Sequence, residues 1–200
     1  MPQDDARPDV ILWVSSLSDD AQSQVVLENA EWVDALPIDG LVVTHANETF
    51  DFMKAGHVTD EAALHDHLAP LGDALKNVEA NWLNLHINNP GDLIDDEAGW
   101  QQAIENWRGV ARAAKDAGFE GLLFDNEEYI PAAQWDDFPE DYSAAEAERG
   151  LEAYREAAIR WGREVGAAVA EEWPGGRIAI PFGPAESARE YEGDWFEFFA

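Results

Sequence analysis

Cysteine is absent from this 200-residue chain, and lysine occurs only three times, at Lys54, Lys76 and Lys115. The lack of cysteine excludes disulfide bonds, thiolate metal ligands and cysteine nucleophiles. The sequence contains no apolar run of about 18 residues, the usual minimum for a membrane-spanning helix. Met1–Arg7 is polar, without the apolar core of a signal peptide. We therefore expect a cytoplasmic protein.

Positive charge is also scarce. The chain has 42 Asp and Glu residues against 12 Lys and Arg, a formal net charge of −30. Phosphate backbones and anionic lipids bind basic patches, so this charge argues against nucleic acid and membrane surfaces as partners. The composition resembles that of proteins from halophiles that accumulate salt, and the alternative is an acidic mesophilic protein. Apolar residues make up 46% of the chain, enough for one domain over residues 1–200 with a real core.

Short apolar runs of strand length alternate with longer segments of helical periodicity. The predicted strands are Val10–Val14, Ile38–Val43, Trp82–Ile87, Gly121–Asp125 and Arg177–Phe182. Between them we predict helices at Val25–Leu36 and Glu61–Lys76, a third from Trp100 to a cap at Gly118, and a fourth from Leu151 to Ala168. Four tryptophans fit helix–sheet packing and are predicted to be core: Trp100, Trp107, Trp161 and Trp173.

This alternation predicts an α/β fold with a parallel sheet covered by helices. A (β/α)8 TIM-type barrel and an open doubly wound sheet both fit. No glycine-rich phosphate loop follows any strand, which weakens the nucleotide-binding form of the open sheet. Since a barrel needs roughly 250 residues, we expect the first five β/α units of a barrel domain that is incomplete at its C-terminus. A complete five-stranded domain is the alternative.

In parallel α/β folds the functional site lies at the carboxyl ends of the strands. Polar and aromatic residues collect at these ends, as a carbohydrate site requires. They are Trp13 after the first strand, His45 after the second, His86 and Asn88 after the third, and Asp125, Glu127, Glu128 and Tyr129 after the fourth, with Trp135 in the next loop. Trp13 fits a sugar-stacking surface or the barrel floor equally well.

The fourth strand carries the strongest chemical signal. Strand alternation places Asp125 and Glu127 on the same side. Repulsion between two carboxylates raises the pKa of one of them, and a carboxyl group kept protonated in this way serves as a general acid. We therefore expect Glu127 to be the acid and Asp125 its electrostatic partner. The alternative is a purely structural role, in which Asp125 caps the following loop and Glu127 is solvated.

The ending Phe124-Asp125-Asn126-Glu127-Glu128-Tyr129 resembles the fourth strand of glycoside-hydrolase-like barrels that read Phe-Asp-x-Glu-x-Tyr. The resemblance covers roughly residues 82–130. A more distant one is to chitinase-like family 18 barrels, whose last Asp and acid Glu correspond to Asp125 and Glu127. Leu123 replaces the middle Asp of that motif, so the substrate-assisted mechanism of family 18 is not implied. Asn126-Glu127 also matches the Asn-Glu pair of many retaining glycosidases. All three resemblances imply that Glu127 is the acid.

The leading hypothesis is a hydrolase of O-glycosidic bonds that needs no cofactor and takes a carbohydrate as its substrate. Tyr129, His86, Asn88, His45, Trp13, Glu128 and Trp135 are the candidates for binding this substrate. The second catalytic carboxylate of such enzymes commonly comes from a later strand. Two alternatives stay open: a carbohydrate-binding domain without catalysis, and a metal-dependent isomerase or hydrolase using His45, His86 and a carboxylate. The oligomeric state is not predicted.

We expect the stability of this protein to increase with salt. A net charge of −30 produces self-repulsion in the compact state. Molar salt shortens the Debye length to about 3 Å and removes most of that repulsion. The thermal unfolding midpoint should therefore rise steadily as KCl is increased from dilute buffer to molar concentrations. A midpoint independent of salt would contradict the halophilic interpretation.

Overall fold

The computed structural model of the chain describes residues 10–13, 20–86, 90–125 and 151–180. The strands are β1 (Ile11–Trp13), β2 (Gly40–Val43), β3 (Trp82–His86), β4 (Gly121–Asp125) and β5 (Arg177–Ala179). The helices are α1 (Asp20–Glu28), α2 (Ala30–Val33), α3 (Glu61–Ala74), α4 (Glu97–Asp116) and α5 (Leu151–Glu172), and a π-helical turn spans Ala46–Phe50. Within these ranges no helix combines the length and the apolar character needed to cross a membrane.

The five strands form one sheet in the order β1-β2-β3-β4-β5, and every neighbouring pair is parallel. The predicted α/β fold with a parallel sheet is therefore confirmed. Each crossover moves one position in the same direction, and crossovers of this kind are right-handed. Successive helices consequently lie on the same face of the sheet. The contacts agree, because α1 packs against α3, α3 against α4, and α4 against α5.

The two faces of the sheet differ in character. Alternate residues of the strands point towards the helices and join the buried apolar core: Leu41, Val43, Leu83, Leu85, Leu122 and Phe124. The ring centroid of Phe124 lies 5.3 Å from that of Trp107 in α4. The other face, which we call the inner face, carries Asn84, His86 and Asp125, all buried polar residues. The sheet therefore presents an apolar surface to the helices, and on its opposite side it carries polar groups towards the carboxyl ends of β3 and β4.

Most of the predicted elements are confirmed, with shifts of a few residues at their ends. Gly118 has φ 79° just after α4, as its predicted capping role requires. The tryptophans Trp100, Trp107 and Trp161 are fully buried, and Trp173 packs against the core at partial burial. The fifth strand ends at Ala179 and leaves out Ile180 of the predicted run, and Pro181 and Phe182 lie outside the described residues.

The segment predicted as one helix, Val25–Leu36, is instead two helices that meet at Asn29. The backbone of Asn29 leaves the helical region, with ψ 21°. Its side-chain amide donates to the carbonyl oxygen of Val25 at 2.8 Å. Asparagine side chains compete in this way for backbone groups, which explains why the helix is interrupted at this residue.

Two arginines of α4 join this helix to its neighbours. Arg112 in α4 pairs with Glu61 of α3 at 2.7 Å and with Glu172 of α5 at 2.9 Å. Arg108, also in α4, pairs with Glu171 of α5 at 2.7 Å. Each partly exposed pair contributes only about 0–1 kcal/mol. Their larger effect is to place positive charge where acidic side chains of three helices converge.

We expect the Gly40→Ala substitution to destabilise the sheet. A Cβ at Gly40 would lie 1.7 Å from the backbone carbonyl oxygen of Ala80 and 2.9 Å from Cδ1 of Ile11. Overpacking costs about 1–3 kcal/mol even where side chains yield, and a backbone atom yields less. Urea unfolding in molar salt measures the loss of free energy.

The matched control is Gly166→Ala in α5. Apart from its chain neighbours and the backbone of its own helix, no described atom lies within 4 Å of a Cβ at this position. Alanine is favoured over glycine inside a helix by roughly 1 kcal/mol, so this variant should be at least as stable as the wild type. Equal stability of the two variants would show that the close approach at Gly40 does not constrain the fold.

Candidate active site at the carboxyl ends of β3 and β4

The central feature of the site is a histidine–carboxylate pair on neighbouring strands. β3 ends at His86 and β4 ends at Asp125, and the parallel register places these two residues opposite each other. Nδ1 of His86 lies 3.4 Å from Oδ2 of Asp125. The strand β4 is apolar up to Asp125 and packs in the core, and Asp125 at its end is 0% exposed. Two residues predicted separately from their strand ends are therefore in direct contact.

The pair is part of a polar cluster that crosses three strands. Asn84 lies two residues before His86 in β3, so the two side chains share the inner face. Nδ2 of Asn84 lies 2.9 Å from Nε2 of His86 and donates to Oγ1 of Thr44, just after β2, at 3.3 Å. Thr44, Asn84, His86 and Asp125 are all buried. We call these four residues the inner-face cluster.

The aromatic ring of Phe50 covers one side of the cluster. Phe50 stacks on the imidazole of His86, with ring centroids 3.7 Å apart and an interplanar angle of 10°. Phe50 is itself 38% exposed, so it lies between His86 and solvent. This contact helps to limit the exposure of His86 to 9%.

The π-helical turn that carries Phe50 is held by several hydrogen bonds. The backbone N–H of Thr49 donates to the carbonyl oxygen of His45 at 2.9 Å. The carboxylate of Glu48 lies 3.3 Å from Nε2 of His57 and accepts from the backbone N–H of Asp60 at 3.0 Å. π-Helical turns occur disproportionately at functional sites. Here the turn fixes the position of the ring above His86.

Burial governs the protonation of His86. It lowers the pKa of His86 from 6.5 to about 4. Loss of hydration is the cause, because burial penalises the charged imidazolium more than the neutral ring. His86 is consequently neutral at physiological pH. A neutral imidazole has one donor and one acceptor nitrogen and orients its neighbours by hydrogen bonding.

His45 and Trp13 lie away from the histidine–carboxylate pair. The ring of His45 makes an edge contact with His67, with centroids 4.4 Å apart, and its Nδ1 accepts from the backbone N–H of Glu48 at 3.4 Å. In the described part of the chain, no hydrogen bond or ion pair joins His45 to His86 or Asp125. Trp13 is partly buried beside Val42, which pairs with Trp82 at the start of β3.

The remaining site predictions are on residues that the structure does not describe: Glu127, Glu128, Tyr129, Asn88 and Trp135. They stay predictions. Of the sequence-predicted residues, the structure brings together His86 and Asp125. It adds Asn84 and Phe50, which sequence reasoning missed, and Thr44, which the sequence places at the end of the second strand without assigning it to the site. A polar residue two positions before His86 in an apolar strand was the available signal for Asn84, whereas no local pattern points to Phe50.

The metal hypothesis required His45, His86 and a carboxylate to converge. Among the residues with described positions, no three His, Asp or Glu side chains form a group that could hold a metal ion. His45 is instead engaged with the π-helical turn and His67. The described geometry therefore gives this hypothesis no support.

No protein-family model matches this chain, and no curated protein or solved structure matches it.

We expect His86 to make stability fall as the pH is lowered from about 6.5 to about 4. In this window the unfolded chain binds a proton at His86, with its ordinary pKa of 6.5, whereas the folded protein does not until about pH 4. The difference between these values corresponds to a loss of about 3 kcal/mol at the acidic end. Above pH 6.5 both states are neutral at His86, and this contribution disappears.

The comparison with His86→Gln isolates this effect, because the titration of the many carboxylates is common to both proteins. The free energy of unfolding, measured by urea at several pH values in molar salt, should fall more steeply with acidification in the wild type than in His86→Gln. Parallel curves would show that His86 is protonated equally well in the folded protein.

Proposed function

We propose that this protein is a glycoside hydrolase that cleaves O-glycosidic bonds at the carboxyl ends of its parallel strands. The observation that carries the proposal is the buried Asp125 carboxylate in contact with His86 at the end of β4. Asp125 is the first residue of the Asp-x-Glu sequence that ends at Glu127. A fully buried carboxylate costs folding free energy, and such groups concentrate at functional sites.

We propose further that the fold is of the (β/α)8-barrel type. The sequential strand order and the single helix layer support this, because a barrel is built by repeating the same crossover in one direction. The helix-facing side chains then form the layer between strands and helices, and the inner face becomes the barrel interior. In such a barrel the pair of His86 and Asp125 lies at the catalytic mouth.

The proposed chemistry assigns Glu127 the role of general acid and base. Its carboxyl group protonates the glycosidic oxygen as the bond from the anomeric carbon to that oxygen breaks, and a carboxylic acid suits this task when a neighbouring negative charge keeps it protonated. The resulting carboxylate then takes a proton from the water whose oxygen bonds to the anomeric carbon, which completes the hydrolysis and regenerates the acid. Asp125 supplies the neighbouring negative charge. It also stabilises positive charge that develops on the sugar ring in the transition state.

The other candidates are assigned to substrate binding. Tyr129 and Trp135 offer aromatic faces that match the apolar faces of sugar rings, and Asn88, Glu128 and His45 offer hydrogen-bonding groups. Trp13 is proposed as part of the barrel floor or as a stacking surface. The high net charge supports activity in molar salt, where surface repulsion is screened.

We expect Glu127→Gln to lose sugar release by about 10²-fold or more, as removal of a general acid does. Hydrolysis is measured on a panel of aryl glycosides and polysaccharides in about 2–3 M salt, where the Debye length is roughly 3 Å or less. Gln keeps the size of the side chain and its ability to hydrogen-bond, so binding of the sugar should persist.

Glu120→Gln is the matched control. Glu120 directly precedes β4 at the opposite end of the strand and pairs with the exposed Arg177 at 3.0 Å. The same chemical change there should leave sugar release close to the wild-type rate. Undiminished release in Glu127→Gln would refute the assignment of the acid. Sugar binding without release by the wild type would favour the non-catalytic carbohydrate-binding alternative.

A further inference from the structure

The hydrogen bonds of the inner-face cluster bear on which ring nitrogen of His86 carries the proton. The side-chain amide of Asn84 has two N–H groups on one nitrogen, and two neighbours lie within reach of that nitrogen. Oγ1 of Thr44 lies at 3.3 Å and Nε2 of His86 at 2.9 Å. When an amide N–H donates to Nε2, that ring nitrogen must present its lone pair.

A neutral imidazole that accepts at Nε2 carries its proton on Nδ1. Nδ1 is the nitrogen that lies 3.4 Å from Oδ2 of Asp125. The proton of His86 is therefore on the side of the ring that contacts Asp125. The two contacts of the ring are mutually consistent, because one nitrogen accepts from Asn84 and the other places its positively polarised N–H beside Asp125.

The opposite arrangement is electrostatically unfavourable. If Asn84 presented its oxygen to the ring, Nε2 would carry the proton and Nδ1 would direct a lone pair at Asp125. An ionised carboxylate has only acceptor sites, so two acceptors would face each other at 3.4 Å in a buried environment. Repulsion between them is poorly screened there.

We infer that Asn84 fixes His86 as its Nδ1–H tautomer, so that His86 orients the Asp125 carboxylate and does not accept a proton from a substrate. Nε2, the nitrogen that a general base would use, faces Asn84 on the inner face. The stacked ring of Phe50 and the 9% exposure of His86 further separate the imidazole from solvent. Asn84 and His86 are thus positioning residues for Asp125.

This inference concerns two ring nitrogens and one carboxylate, so it is tested without any measurement of sugar release. The protein can lack glycosidase activity and still have the Nδ1–H tautomer of His86. It can also be an active glycosidase with the other tautomer. The burial that lowers the pKa of His86 supports the test, because the ring stays neutral over an accessible pH range.

The experiment is ¹⁵N NMR of the full chain labelled with [¹⁵N]histidine, in molar salt near neutral pH. The chain has five histidines, and the signals of His86 are identified by their loss in His86→Gln. Two-bond correlations from the ring protons show which nitrogen of His86 bears a proton. We expect Nδ1 to be protonated and Nε2 to be unprotonated.

The variant Asn84→Asp tests the cause. A carboxylate at position 84 can only accept, so Nε2 of His86 should acquire a proton. Thr44→Val is the matched control within the same cluster, since it removes Oγ1 and leaves the Asn84 to Nε2 contact, and the Nδ1–H tautomer should persist.

The wild-type spectrum alone decides the main claim, even if Asn84→Asp does not fold. An Nε2–H tautomer in the wild type, or a doubly protonated ring at neutral pH, would overturn the inference. An Asn84→Asp protein that folds and keeps an unprotonated Nε2 would show that Asn84 is not what selects the tautomer.

Discussion

Parallel pairing of β3 with β4 runs from Trp82 opposite Gly121 to His86 opposite Asp125. This register determines both faces of the sheet at once, because side chains alternate with a period of two. It directs Leu83, Leu85, Leu122 and Phe124 into the helix layer. The same register aligns the polar residues on the inner face. A slip of one residue would move the apolar set out of the core, so packing against the helices also holds the site together.

The helix layer shows how a strongly acidic chain remains compact. Its core relies on large apolar groups, among them the fully buried Trp107 and Trp161. Outside the core, Arg108 and Arg112 stand in α4 between acidic residues of the neighbouring helices. Because so few basic residues are available, their position matters more than their number. Salt in solution screens the repulsion that these pairs leave uncompensated.

Whereas the charged residues of the helix layer lie outside the core, the inner-face cluster consists of polar groups that are buried. Burying Thr44, Asn84, His86 and Asp125 sacrifices hydration, and the contacts within the cluster offset part of that cost. The amide of Asn84 contacts both neighbours, and His86 spans from Asn84 to Asp125. Low dielectric surroundings strengthen these interactions and make a single arrangement dominant. Such order is the condition under which a carboxylate at a strand end can act on a bound molecule with defined geometry.

The sequence alone predicted the α/β class, the approximate position of all five strands and most of the helical segments, because apolar periodicity is a local property that reflects which face is buried. It also singled out His86 and Asp125, since each directly follows an apolar run. It did not indicate the interruption at Asn29, where a side chain competes with the helix backbone. Nor did it reveal that His86 contacts Asp125, that Asn84 and Thr44 complete the cluster, or that Phe50 covers it. These contacts join residues up to about 40 positions apart, and only strand register and the path of the π-helical turn bring them together. Tertiary structure decided them because hydrogen bonding and burial depend on distances in space, which spacing along the chain does not determine.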